Sequence, residues 1–184
     1  KLIQLTMPGV PDVYQGCETV TLSLVDPDNR RPVDWTDRGE RLARVVAGEP
    51  ALDLDDEKMR VTARALRVRR EDPAAFVGEG TTYTGLPCSS PHALAFARGD
   101  ADGLRVVTVA TVAAGVLAAG GGFGDAVVEL PPGSWRDVLA DGDDVITGST
   151  QNDKLYGFKG NDTMTGRAGD DRMLGGKGND SLNG

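Results

Sequence analysis

The chain has 184 residues, 39% of them hydrophobic and 26% charged, with a formal net charge of −8. That length holds one ordinary domain plus an appendage. The acidic balance argues against a nucleic-acid or anionic-membrane partner, since the surface on average repels both, and no apolar run approaches the roughly 20 residues that span a bilayer.

The chain opens at Lys1 with neither Met nor a signal-peptide pattern, which reads as a fragment or processed product. Lys1 to Met7, with Leu2, Ile3 and Leu5 before Pro8-Gly9, predicts a buried strand that enters a rigid loop. Asp37 and Glu40 mark a helix start, Leu42, Val45 and Val46 its apolar side, and Gly48 and Pro50 its end. A second helix is expected from about Asp56 to Asp72, with Met59, Ala63 and Leu66 inward and Arg60, Arg64 and Arg67 as a solvated stripe.

After Pro73 the texture changes to short β runs at Thr81 to Gly85, Ala93 to Arg98, Leu104 to Thr111, Ala126 to Leu130 and Ser134 to Leu139. Leu94 and Phe96 point one way, as do Ala126, Val128 and Leu130, so a small antiparallel sandwich with one buried face is expected. The Gly-rich run Ala119 to Gly124 lacks the G-x-G-x-x-G order of a dinucleotide site and reads as a loop. Cys17 and Cys88 form no disulfide framework and are expected as buried free thiols; His92, four residues after Cys88, lacks further ligands and reads as a strand-edge residue.

From Gly142 to Gly184 a different order takes over. Asp144, Asp153, Asp162, Asp171 and Asp180 recur every nine residues. A Gly opens each later unit at Gly148, Gly157, Gly166 and Gly175, and a second stands three places on at Gly142, Gly160, Gly169 and Gly178, with Gln151 breaking that column. Two residues after each Asp comes an apolar side chain, Ile146, Leu155, Met164, Met173 or Leu182. Each unit is thus a Gly-rich turn followed by a very short strand, and a flexible linker does not keep such an apolar phase.

The pattern, best kept in Gly175-Gly176-Lys177-Gly178-Asn179-Asp180-Ser181-Leu182-Asn183, resembles the calcium-binding nonapeptide repeat of RTX proteins. Glycines that permit tight turns leave carbonyls and a carboxylate for a hard cation that takes oxygen ligands. The resemblance implies a short parallel β-roll with Ca2+ between turns two repeats apart. This pairs Asp144 with Asp162, Asp153 with Asp171 and Asp162 with Asp180, three sites at most. Gly160, Gly169 and Gly178, in the same turns, are expected to belong to these metal sites. If position 151 needs a left-handed backbone, Gln151 weakens the Asp153–Asp171 site by about 1 to 2 kcal/mol.

A second resemblance lies at the other end. The runs Met7-Pro8-Gly9-Val10-Pro11-Asp12-Val13-Tyr14-Gln15-Gly16 and Asp26-Pro27-Asp28-Asn29-Arg30-Arg31-Pro32-Val33-Asp34 look like malto-oligosyltrehalose synthase, of the α-amylase clan. Ala95 to Gly99, Val106 to Thr111 and Leu130 to Leu139 resemble its C-terminal β domain. The resemblance implies residues 1–72 as the last strand, loop and helices of a (β/α)8 barrel, 73–141 as the β domain and 142–184 as the calcium-binding repeats.

Loops at the C-terminal ends of barrel strands carry active sites. Tyr14, Gln15, Asp28 and Arg30 are therefore the expected contacts to bound malto-oligosaccharide, by stacking and hydrogen bonding. The alternative is that Asp28 and Arg30 pair to hold the loop. An EF-hand reading of Asp26-Pro27-Asp28 lacks the required Gly and Glu.

The implied reaction moves a terminal linkage from α-1,4 to α,α-1,1, using a carboxylate nucleophile and a carboxylic acid/base. Those carboxylates belong to earlier barrel strands, so no catalytic residue is assigned here and the chain is expected to be inactive without the missing barrel portion. Two functions compete: part of a trehalose-forming mutase with a calcium-binding tail, or a calcium-binding secretion module with synthase-like cargo. The first implies the cytoplasm and the second the extracellular space.

Overall fold

In a computed structural model of the protein, residues 1–24, 30–132, 134–139, 145–148 and 150–184 are described. The chain divides into two compact units, Lys1–Pro73 and Ala74–Gly184.

The first unit is helical. α1 (Leu2–Thr6) stands where a strand was expected. The reason is local: with no described strand beside it, a strand here would leave its backbone groups unpaired, whereas the helical turn bonds Leu5 N–H to Lys1 O and Met7 N–H to Ile3 O. α2 (Trp35–Ala47) is capped by Asp34, whose carboxylate accepts from the N–H groups of Thr36 and Asp37, so the helix starts earlier than Asp37. Of its expected apolar side only Val45 is buried; Leu42 and Val46 are exposed.

α3 (Leu54–Glu71) is capped by Asp53. Its buried face is Asp56, Met59, Thr62 and Ala65 rather than Met59, Ala63 and Leu66. An ion cluster turns the helix that way. Asp56, 2% exposed, accepts from Arg41 at 2.6 Å, from Arg44 at 2.8 Å and from Leu52 N–H at 3.1 Å. Burial on its own raises the Asp56 pKa, but the bonds from Leu52, Arg44 and Arg41 outweigh it and hold the carboxyl below its ordinary range. Arg60 of the expected solvated stripe instead donates to Glu49 O at 2.8 Å.

The second unit opens with an antiparallel sheet in the order β1 (Thr82–Leu86), β2 (Ala93–Asp100), β3 (Gly103–Thr111). β2 is central, and its residues 95–99 are buried on both faces, so the one-sided pattern expected from Leu94 and Phe96 does not hold. Phe96 meets the Tyr83 ring at 5.1 Å between centroids, and the Arg98 guanidinium lies 5.6 Å from the centre of the Phe76 ring.

No second sheet completes a sandwich among the described residues. Residues 126–130 keep the expected alternation of burial but pair only through the bridge of Val128 with Cys88. A short helix, α4 (Ala114–Ala119), precedes the Gly-rich loop. Both cysteines are free and half-buried rather than buried.

The remaining strands form two parallel sheets, β4 (Ser134–Arg136), β6 (Lys154–Lys159), β8 (Arg172–Lys177) and β5 (Val145–Thr147), β7 (Thr163–Thr165), β9 (Ser181–Asn183). Consecutive repeats alternate between the sheets, so each strand pairs with the one two repeats on: Ile146 with Met164, Met164 with Leu182, and Leu155 with Met173. Leu155 and Met164, 2% and 0% exposed, are the thin core. β4, expected in the sandwich, instead pairs Trp135 with Leu155 in this roll.

Candidate metal centre

Each described repeat turn folds its Asp back over the Gly that opens it. A Cβ on Gly157 would strike Asp162 Oδ2, one on Gly166 would strike Asp171 Oδ2 and one on Gly175 would strike Asp180 Oδ2. The opening glycines are therefore required by close approach. Carbonyls enter the same space: a Cβ on Gly148 would lie 2.6 Å from Gly166 O, and one on Gly157 2.7 Å from Gly175 O.

Turns 18 residues apart are stacked and clipped together. Asp153 N–H donates to Asp171 Oδ1 at 2.9 Å, and Asp162 N–H to Asp180 Oδ1 at 3.0 Å. Beside them, Asp170 N–H donates to Asn152 Oδ1 and Asn179 N–H to Asn161 Oδ1, both at 2.9 Å. The stacking thus joins the 153 turn with the 171 turn and the 162 turn with the 180 turn. Asp144 and its turn lie outside the described residues.

These residues fit a hard cation. Asp171 Oδ2 is buried and accepts no hydrogen bond, and a buried carboxylate oxygen is ordinarily paired or bound to metal. Asp153 and Asp162 are 4% and 1% exposed. Among the described residues no three His, Cys, Asp or Glu side chains converge. Ligation would therefore draw on paired carboxylates and backbone carbonyls, the oxygen set that suits Ca2+.

Gly160, Gly169 and Gly178 have φ of 122°, 127° and 141°. Gln151, in the same column, is not among the positive-φ residues, so the strain foreseen there does not arise. Strain sits instead at Arg167, with φ 74°, in the place where Gly176 has φ 108°. The sequence signal was present, since the pattern asks for Gly at both second positions.

The expected sugar contacts lie in the first unit. Tyr14 and Gln15 line a cavity of about 340 Å³ with Asp12, Cys17, Thr21, Ser23 and Leu24. Arg30 is exposed, and Asp28 lies outside the described residues. His92 sits on the turn into β2, where its N–H donates to Ser90 Oγ at 3.2 Å and its carbonyl accepts from Val112 N–H at 2.8 Å. No helix of the described residues is long and apolar enough to cross a membrane.

The family described as RTX calcium-binding nonapeptide repeat (4 copies) matches residues 140–173 and 166–184. The roll is built of RTX-type repeats. The rest of the chain resembles a different family. Proteins from two strains of Mycobacterium tuberculosis, provisionally named maltooligosyl trehalose synthase, are 45% identical over 141 residues, which is 76% of this chain and 16% of theirs. The solved maltooligosyltrehalose synthase of Arthrobacter ramosus superposes with a TM-score of 0.61 at 42% identity, covering 72% of this chain and 17% of that one. A mutant of the same enzyme gives 0.61 at 41% identity, over 71% and 17%. The chain spans about one sixth of the length of the curated relatives it matches. A synthase-like portion and an RTX repeat array therefore share one polypeptide.

Proposed function

We propose that the ligand this chain binds with its own residues is calcium, held between stacked turns of the RTX roll. The observation that carries the reading is Asp171, whose Oδ1 clips the neighbouring turn while its Oδ2 is buried without a hydrogen-bond donor. Asp153 with Asp171, and Asp162 with Asp180, are the proposed carboxylate pairs, with Asp144 and Asp162 as a third. Gly160, Gly169 and Gly178 are proposed as the turn residues of these metal sites. Calorimetry on the full chain should give up to three calcium ions, at affinities of roughly 10⁻⁴ to 10⁻³ M if the sites are of extracellular type. Far-UV circular dichroism should gain β signal in parallel. Absence of both responses at millimolar calcium overturns the reading.

The synthase-like portion is proposed to contribute to malto-oligosaccharide binding in a longer polypeptide that performs the α-1,4 to α,α-1,1 transfer. The cavity lined by Tyr14 and Gln15 supports this, with Asp28 and Arg30 as further proposed contacts. No residue here is assigned to the chemical step. Saturation-transfer NMR with maltopentaose should show contact that Tyr14→Ala reduces; an unchanged signal in the variant removes Tyr14 from the site. We divide the chain at 1–72, 73–141 and 142–184, which the break between units at Pro73 and the repeat match from residue 140 support, with Ser134–Arg136 of the middle segment pairing into the roll.

A further inference from the structure

A roll of alternating coils has two open ends, and each end exposes part of its apolar column unless something covers it. Leu182, in the last strand, is 47% exposed. The first end is different. There the parallel register places Trp135 in the column of Leu155 and Met173. Trp135 is half-buried, and its indole Nε1–H donates to Pro131 O at 2.6 Å, which ties the ring to the segment before it. β4 enters the ladder 20 residues before β6, whereas true repeats enter 18 apart, so it is an added strand and not a sixth repeat.

We propose that Trp135 and its strand cap the roll, and that calcium in the turn of Asp153 and Asp171 locks this cap, so that the repeats clamp the segment that precedes them. The inference rests on the calcium reading above. β6 begins at Lys154, directly after Asp153, and lies between β4 and β8. A three-residue strand does not hold its place alone, so β4 stays paired only while β6 is ordered. The order of β6 in turn depends on the Asp153 turn, which Asp171 clips at 2.9 Å. Without metal, a core this thin does not offset the entropy of ordering the coils.

The test uses the full chain carrying Trp35→Phe, which leaves Trp135 as its one tryptophan. Calcium is titrated while acrylamide quenching of Trp135 and the heat of binding are followed. Quenching should fall in step with binding, and Asp171→Asn should move both midpoints to higher calcium. In the reciprocal direction, on the Trp35-containing chain, Trp135→Ala should weaken calcium binding by about fivefold or more, with Trp135→Phe close to the parent. Calcium binding that leaves Trp135 quenching unchanged, or an unaltered affinity in Trp135→Ala, overturns the clamp and spares the calcium reading. No heat of binding at all overturns both.

Discussion

Asp171 Oδ1 accepts the backbone N–H of Asp153 at 2.9 Å, and Asp180 repeats that bond to Asp162 at 3.0 Å. The Oδ1 of each of these carboxylates joins two coils, and Oδ2 of Asp171 is buried without a hydrogen-bond donor.

This division of labour separates two substitutions at one position. Asp171→Asn keeps the Oδ1 acceptor and loses the charge, so calcium affinity should drop by about tenfold or more, since such sites are tuned by ligand charge. Asp171→Ala loses the clip as well. Thermal melts at saturating calcium should therefore place the Ala variant below the Asn variant. Equal melting of the two variants would show that the clip contributes nothing.

The opening glycines give a steric test. A Cβ at Gly175 would collide with the Asp180 carboxylate, whose Oδ1 holds the 162 turn. Gly175→Ala should displace Asp180 and reduce calcium stoichiometry, with loss confined to the Asp162–Asp180 pair. Full stoichiometry by calorimetry would mean that the turn relaxes around the methyl group.

Backbone strain separates Arg167 from Gln151. Arg167 holds φ 74°, so Arg167→Gly should raise the stability of the metal-loaded roll by about 1 kcal/mol, through relief of the left-handed penalty that a side chain incurs. Gln151 has no such conformation to relieve. Gln151→Gly should give no gain, and calcium-loaded denaturant melts of both variants compare them directly.

The helical unit carries a separate pH dependence. Asp56 has its pKa lowered in the folded state, so its stabilising contribution is complete above the ordinary carboxylate value near about 4. It is lost as pH falls through the lower folded value. Melting temperature read at 222 nm should fall in that acid range, and Asp56→Asn should flatten the dependence. At neutral pH the same variant should cost on the order of 2 kcal/mol, the worth of hydrogen bonds between charged groups.

Much of the repeat was legible without coordinates, because nine-residue spacing of Asp, Gly and an apolar residue is a local instruction repeated in register. It marks which residues turn and which face the core, where Leu155 and Met164 are buried as expected, while Ile146 and Met173 are half-buried and Leu182 is exposed. The same holds for α3, expected from about Asp56 to Asp72 and observed at Leu54–Glu71. Its inward face was misjudged because apolar spacing is blind to an ion cluster: Asp56 is buried only where Arg41 and Arg44 arrive from another helix.

What the tertiary structure alone decided was partnership. Nothing in Ser134-Trp135-Arg136 distinguishes a sandwich strand from a roll strand, since both call for the same extended backbone. The choice was made by the open edge of β6, which supplies the hydrogen bonds that β4 needs. Lys1 to Met7 shows the converse: an apolar segment with no partner edge among the described residues closes its own bonds as a helical turn. Period and composition belong to the sequence because they are local; strand pairing belongs to the fold because each backbone donor must find an acceptor that lies elsewhere in the chain.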